Sequence, residues 1–187
     1  MEPVLASRDH RKSFRPTLAI ERADFLIHAD DAAVAKGAPP GRTERRIGAY
    51  LLRAELWRTF SRLRRHGGLK IVPIREVSTF ADGQGIDAPG RPQAVHLPGH
   101  TPGIAALLLE GRRVLFTGDG LVTRNPLTGR QGPQVMPRAL NRDSRQALQP
   151  LARLEDLPAD LVLSGHGEPW TGGAARAVRL ARDAGRS

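Results

Sequence analysis

Three apolar, strand-like runs in this chain each end in a glycine-flanked turn that presents a side chain able to hold a cation. The turns are Leu97-Pro98-Gly99-His100-Thr101-Pro102-Gly103, Thr117-Gly118-Asp119-Gly120 and Ser164-Gly165-His166-Gly167-Glu168-Pro169. Short apolar runs bounded by glycine and proline read as strands. Neutral imidazole and carboxylate suit a zinc-like ion. Each residue has a structural alternative: a histidine in a glycine-rich turn can simply be packed, and Asp119 can cap its own turn through an Asx hydrogen bond.

Around these turns the pattern alternates strands with helices. Strands are expected at 3–6, 24–28, 70–74, 93–97, 103–110, 113–117 and 160–163, with Gly111-Arg112 as a hairpin turn. Helices are expected at 17–22, at 32–36 behind Asp30-Asp31, at 141–154 behind Asn141 or Asp143, and at 174–184 after Gly172-Gly173. The longest helical signal runs from 43 to 66. Ala49, Leu52, Leu56, Phe60 and Leu63 form its apolar stripe, and Arg45, Arg46, Arg53, Arg58, Arg62 and Arg65 decorate the remainder. This basic amphipathic stretch reads as a solvated surface helix, or alternatively as a lid over the site, an oligomer contact or a surface for membranes or acidic partners. Residues 121–137, with three prolines and two glycines, read as an irregular loop. The resulting fold class is an α/β sandwich in one domain spanning 1–187.

Composition narrows the function classes. A chain of 187 residues with 40% hydrophobic content can bury a full core, and no run is long enough to span a membrane. No secretory leader is visible in Met-Glu-Pro-Val-Leu-Ala, so a cytoplasmic location is the default expectation. The net charge of +10 invites a nucleic-acid reading. Against it, lysine occurs only at Lys12, Lys36 and Lys70, the arginine skew suits a GC-rich coding sequence, and aromatics at 4% form no stacking platform.

The ordered trio resembles the carboxy-terminal half of the metallo-β-lactamase-fold superfamily, which includes glyoxalase II and lactonases, over about residues 72–184. The resemblance implies a metallo-β-lactamase-like αββα sandwich. It also implies that His100 and His166 are metal ligands and that Asp119 bridges two metals. Upstream, the family carries HxHxDH after an early strand. Here that place reads Leu5-Ala6-Ser7-Arg8-Asp9-His10, keeping the terminal pair as Asp9 and His10 while Leu5 and Ser7 stand where histidines belong.

The two missing histidines would share the first metal position with His100. The second set, Asp9, His10, Asp119 and His166, is intact. The resemblance therefore implies zinc, as one or two ions, with iron or manganese as alternatives. It implies a hydrolase in which metal-activated hydroxide attacks an ester, thioester or lactone, and in which Asp9 is the catalytic group that orients or deprotonates water. His100 would complete a weak second position or contact the small-molecule substrate.

Two other readings stand beside it: a non-catalytic descendant of the fold, and a phosphodiesterase or other nucleic-acid-processing member. The family's first β-layer has no counterpart in the sequence, which reads as an amino-terminal truncation. It would leave a strand edge open to homodimer pairing. Specificity is expected in the segments 43–66 and 121–137.

Overall fold

The computed structural model describes residues 25–67 and 72–186. Its centre is a four-stranded sheet of β3 (Gln93–His96), β4 (Ala105–Leu109), β5 (Val114–Gly118) and β8 (Leu161–Ser164), in the order β3-β4-β5-β8. The first two pairings are antiparallel, and β5 pairs in parallel with β8. Register places Leu108, Leu115 and Val162 in one row, and all three are buried. Side chains alternate faces along a strand, so Leu107, Phe116 and Leu163 share the opposite face. There Phe116 remains 42% exposed.

The buried face is covered from the carboxy-terminal half. Helix α4 (Ala174–Ala184) buries Ala174, Ala177, Val178 and Ala181, the i, i+3, i+4, i+7 stripe of an amphipathic helix. Helix α3 (Ser144–Leu148) starts where the Asp143 carboxylate accepts from the backbone N–H groups of Arg145 and Gln146. Pro150 then lacks the N–H that would continue the α-helix, and 150–154 winds as a 3₁₀ turn burying Leu151 and Leu154. The helix expected over 141–154 is thus two shorter pieces, with Asp143 rather than Asn141 as the cap. The strands expected at 93–97, 103–110, 113–117 and 160–163 and the helix at 174–184 are found with small boundary shifts.

Other expectations need correction. The segment 43–66 is not one helix: a 3₁₀ turn at 47–50 precedes α2 (Ala54–Arg65), and Arg53 between them is extended. Tyr50 and Leu56 both pack with Leu127 and Ala139. On a continuous helix of 3.6 residues per turn they would point about 120° apart. The break at 51–53 brings both to one cluster. Residues 121–137 are not irregular throughout, since β6 (Val122–Arg124) and β7 (Gln131–Gln134) pair antiparallel. Their turn is organised by the Asn125 carboxamide oxygen, which accepts from Leu127 and Thr128 N–H.

The expected strand at 70–74 is not formed at 72–74. Instead β2 (Ser78–Phe80) pairs in parallel with β1 (Leu26–His28) in a separate two-stranded sheet. Asp31 makes no side-chain cap for α1 (Ala32–Ala35); it is His28 Nδ1 that accepts from Asp30 N–H at the preceding turn. Gly111-Arg112 lies in a 3₁₀ turn ended by Arg113 at φ 54°, not in a two-residue hairpin. The strand expected at 3–6 and the helix at 17–22 lie outside the described residues. No described helix is long and apolar enough to cross a membrane.

Candidate metal centre

The three turns meet at the ends of β3, β5 and β8, each held by backbone constraints written in the sequence. Gly99 adopts φ 145°, and a Cβ there would lie 2.4 Å from the Ala147 backbone. Glycine is therefore required for the turn to rest against α3, where Gly99 O accepts from Arg142 and Asp143 N–H. The Asp119 turn closes through Gly120 N–H to Thr117 O, and the buried Thr117 hydroxyl donates to Leu121 O. The third turn is tied to the second by Gly165 N–H donating to Gly118 O at 2.8 Å.

Thr123 secures the third turn from the β6 side. Its hydroxyl donates to Glu168 O at 2.7 Å and contacts His166 O at 3.1 Å, and Thr123 N–H and Arg124 N–H both donate to His166 O. A Cβ on Gly167 would meet the Thr123 hydroxyl at 2.3 Å. The role of Thr123 was not legible in the sequence, because it depends on β6 lying against the turn.

The result is a carboxylate between two imidazoles. His100 Nε2 lies 3.5 Å from one oxygen of Asp119, and His166 Nε2 lies 3.5 Å from the other. His100 faces Asn141 through its second nitrogen, with Nδ1 3.3 Å from the Asn141 carboxamide oxygen. That fully buried carboxamide is oriented by donating to Met136 O and Ser144 Oγ. Nδ1–H therefore donates to Asn141, and Nε2 faces Asp119. The sequence pointed to Asn141 only as a helix cap; its contact with His100 comes from the tertiary fold.

Burial disfavours the charged form of Asp119. The hydrogen bond from His166 and the charges of His166 and His100 outweigh that and hold the carboxyl below its ordinary range. His166 is raised above the usual imidazole value, chiefly by its hydrogen bond with Asp119 against opposing desolvation.

These distances fit a cation. At 3.5 Å the contacts are at the long limit of N–H···O hydrogen bonding, and two ligands about 2.1 Å from one tetrahedral ion stand about 3.4 Å apart. Each imidazole–carboxylate pair matches the second spacing, and each uses a different oxygen of Asp119. Asp9 and His10 lie outside the described residues.

A second group with metal-capable atoms close together is His28, Asp30 and His96. Its geometry argues for packing instead. The two imidazoles stack 4.1 Å apart at 12°, so their in-plane lone pairs run nearly parallel and do not converge on one ion. His96 Nε2 lies 2.6 Å from Pro102 O, which assigns its proton there, and His28 Nδ1 already accepts from Asp30 N–H. These two histidines fasten the β1–β2 sheet to the His100 turn. His66 ends α2, with its backbone N–H directed to Arg62 O and Arg64 O.

Comparison with known proteins identifies the family of the fold. The model of the metallo-beta-lactamase superfamily matches residues 27–166. A probable metallo-hydrolase of Bacillus subtilis (strain 168), YflN, is 33% identical over 81 residues, which are 40% of this chain and 31% of that protein. Among solved structures, a metallo-beta-lactamase family protein of Thermus thermophilus superposes with a TM-score of 0.53 at 21% identity. That likeness covers 84% of this chain and 50% of the other. A beta-lactamase domain protein of Burkholderia ambifaria gives a TM-score of 0.53 at 18% identity, over 86% of this chain and 45% of that one. The chain thus spans half or less of the length of these relatives. Matched over most of its length and sharing their α/β fold, the chain belongs to the metallo-beta-lactamase superfamily.

Proposed function

We propose that the chain is a metal-dependent hydrolase of a small ester, thioester or lactone, with its metal held at Asp119. The observation that carries this reading is the placement of His100 Nε2 and His166 Nε2 at 3.5 Å from opposite oxygens of one largely buried carboxylate. His166 and Asp119, with Asp9 and His10, form one ligand set; His100 supplies a nitrogen to a second, weaker position. Zinc suits these nitrogen and oxygen donors, and iron or manganese would accept them too. When bound, such an ion lowers the pKa of water toward neutrality and polarises a carbonyl.

The chain's own residues have separable tasks in this reading. Asn141 holds His100 in one tautomer, as hydrogen-bonded outer partners do for ligating imidazoles. Thr123 fixes the His166 turn, and Gly165 leaves room for the Asp119 carboxylate. Asp9 orients the attacking water and accepts its proton. Side-chain exposures of 18% at His100, 28% at Asp119 and 39% at His166 leave the centre open to a substrate.

The test is hydrolysis of a panel of aryl esters, thioesters and lactones by metal-loaded protein. Turnover should vanish on chelation and return on adding zinc, iron or manganese. Turnover that survives complete metal removal would defeat the reading.

Proton competition should be visible as well. The metal takes a neutral imidazole, whereas Asp119 stabilises the protonated form of His166 and raises its pKa. The Asp119–His166 ion pair is thus complete below the ordinary imidazole pKa and is lost as pH rises through the raised value. Metal affinity should accordingly weaken as pH falls through that raised value, beginning above the ordinary imidazole range. Competition titrations with a chromophoric chelator, from about pH 5.5 to 8.5, measure this. A flat profile across that window would contradict it.

A further inference from the structure

Helix α2 forms one wall of a cavity of about 330 Å³ that opens beside His166. Glu55, Thr59, Arg62 and His66 project from the helix side at intervals of four, three and four residues, which places them on one face. The opposite wall is Arg124 and Pro126 from the β6 hairpin together with Gly165, His166 and Gly167. The helix is fastened across this gap at two points. The Thr59 hydroxyl donates to Pro126 O at 2.7 Å, and the Arg124 guanidinium pairs with Glu55 Oε1. The wall is therefore anchored to the β6 hairpin, which also holds the His166 turn.

The cavity's charge is unbalanced. Glu55 is the one acidic residue in its lining, and it is already shared between Arg124 and Arg58. Among the described residues Arg62 has no carboxylate partner, although it lines the same space. Leu63 and Pro126 add apolar surface to the same lining as Arg62 and His166. A volume of this size holds on the order of ten waters, enough for a short chain and too small for a polymer. Guanidinium groups recognise carboxylates through paired N–H donors.

We propose that this cavity is the substrate's anion subsite: it receives a short acyl arm ending in a carboxylate, and Arg62 is the specificity-determining counter-ion. The inference rests on the hydrolase reading above and narrows it to acidic acyl substrates.

A matched pair of esters tests it: mono-4-nitrophenyl glutarate and 4-nitrophenyl pentanoate share chain length and leaving group and differ in the terminal carboxylate. Metal-loaded wild-type protein should favour the glutarate in kcat/KM, mainly through KM, by about tenfold or more, the size expected for one charge-assisted contact. Arg62→Glu should abolish or reverse that preference, and Arg62→Gln should reduce it. Arg64→Ala, which removes the same charge from a side chain outside the cavity lining, should retain it. Equal kcat/KM for the two esters in wild type, or a preference that survives Arg62→Glu, overturns the proposal. If metal-loaded protein hydrolyses neither ester, ester hydrolysis fails as the activity, and calorimetry with glutarate and pentanoate decides the subsite by itself. Tighter glutarate binding that depends on Arg62 supports the subsite; equal binding of the two acids rejects it.

Discussion

Alanine at position 165 is expected to strip the centre of its metal while the sheet beneath stays folded. Gly165 does not occupy the left-handed region, so its backbone accepts alanine without torsional strain. The effect is steric alone: a Cβ there would stand 2.2 Å from Oδ1 of Asp119, far inside contact distance. That oxygen is the one that faces His166, so the carboxylate must turn away from its partner imidazole. Because residue 165 sits in an exposed turn outside the core cluster, global stability should change by less than about 1 kcal/mol. Metal affinity should fall by about a hundredfold or more, at the upper end of what displaced outer contacts do. Chelator competition and a thermal melt on the same sample read both quantities. Unchanged affinity in Gly165→Ala would show that the Asp119–His166 pairing does not hold the ion.

The larger loss is expected from Asp119 itself. Its two oxygens are the shared element between His100 and His166, so Asp119→Ala removes a ligand from either position at once. Bound metal should be absent, and hydrolysis should fall by about a thousandfold or more, since a polarising cation supplies several kcal/mol to such reactions. Asp119→Asn keeps the shape but loses the charge, and should retain weakened binding at most. His166→Ala should also release metal. His100→Ala should weaken metal binding less, because in the proposed ligand set His100 belongs to the weaker position. A protein that keeps full stoichiometry in both Asp119→Ala and His166→Ala would refute the ligand assignment.

The turns were legible in the sequence because steric necessity wrote them there. Gly99, Gly165 and Gly167 stand where any side chain would strike Ala147, Asp119 or Thr123, and each flanks a metal-competent residue. Helix α4 was legible for a related reason: four small or β-branched residues at helical spacing meet the core cluster. The unread parts depend on contacts between distant segments. Tyr50 and Leu56 break the helix at 51–53 to reach a pocket built by Leu127 and Ala139, which local periodicity does not encode. Asn141 meets His100 across 41 residues, and Thr123 meets the His166 turn across 43. The arginine face of α2 likewise read as solvated charge. Its contacts with Arg124 and Pro126, 69 and 67 residues away, are what make it the wall of a cavity.

The most direct test is elemental analysis of the full chain purified without chelator, before and after reconstitution with zinc, iron(II) or manganese(II). One to two equivalents of a divalent metal per chain, lost in Asp119→Ala, is the predicted result. No metal as isolated, and none retained after reconstitution with any of the three, would contradict a metal centre at Asp119.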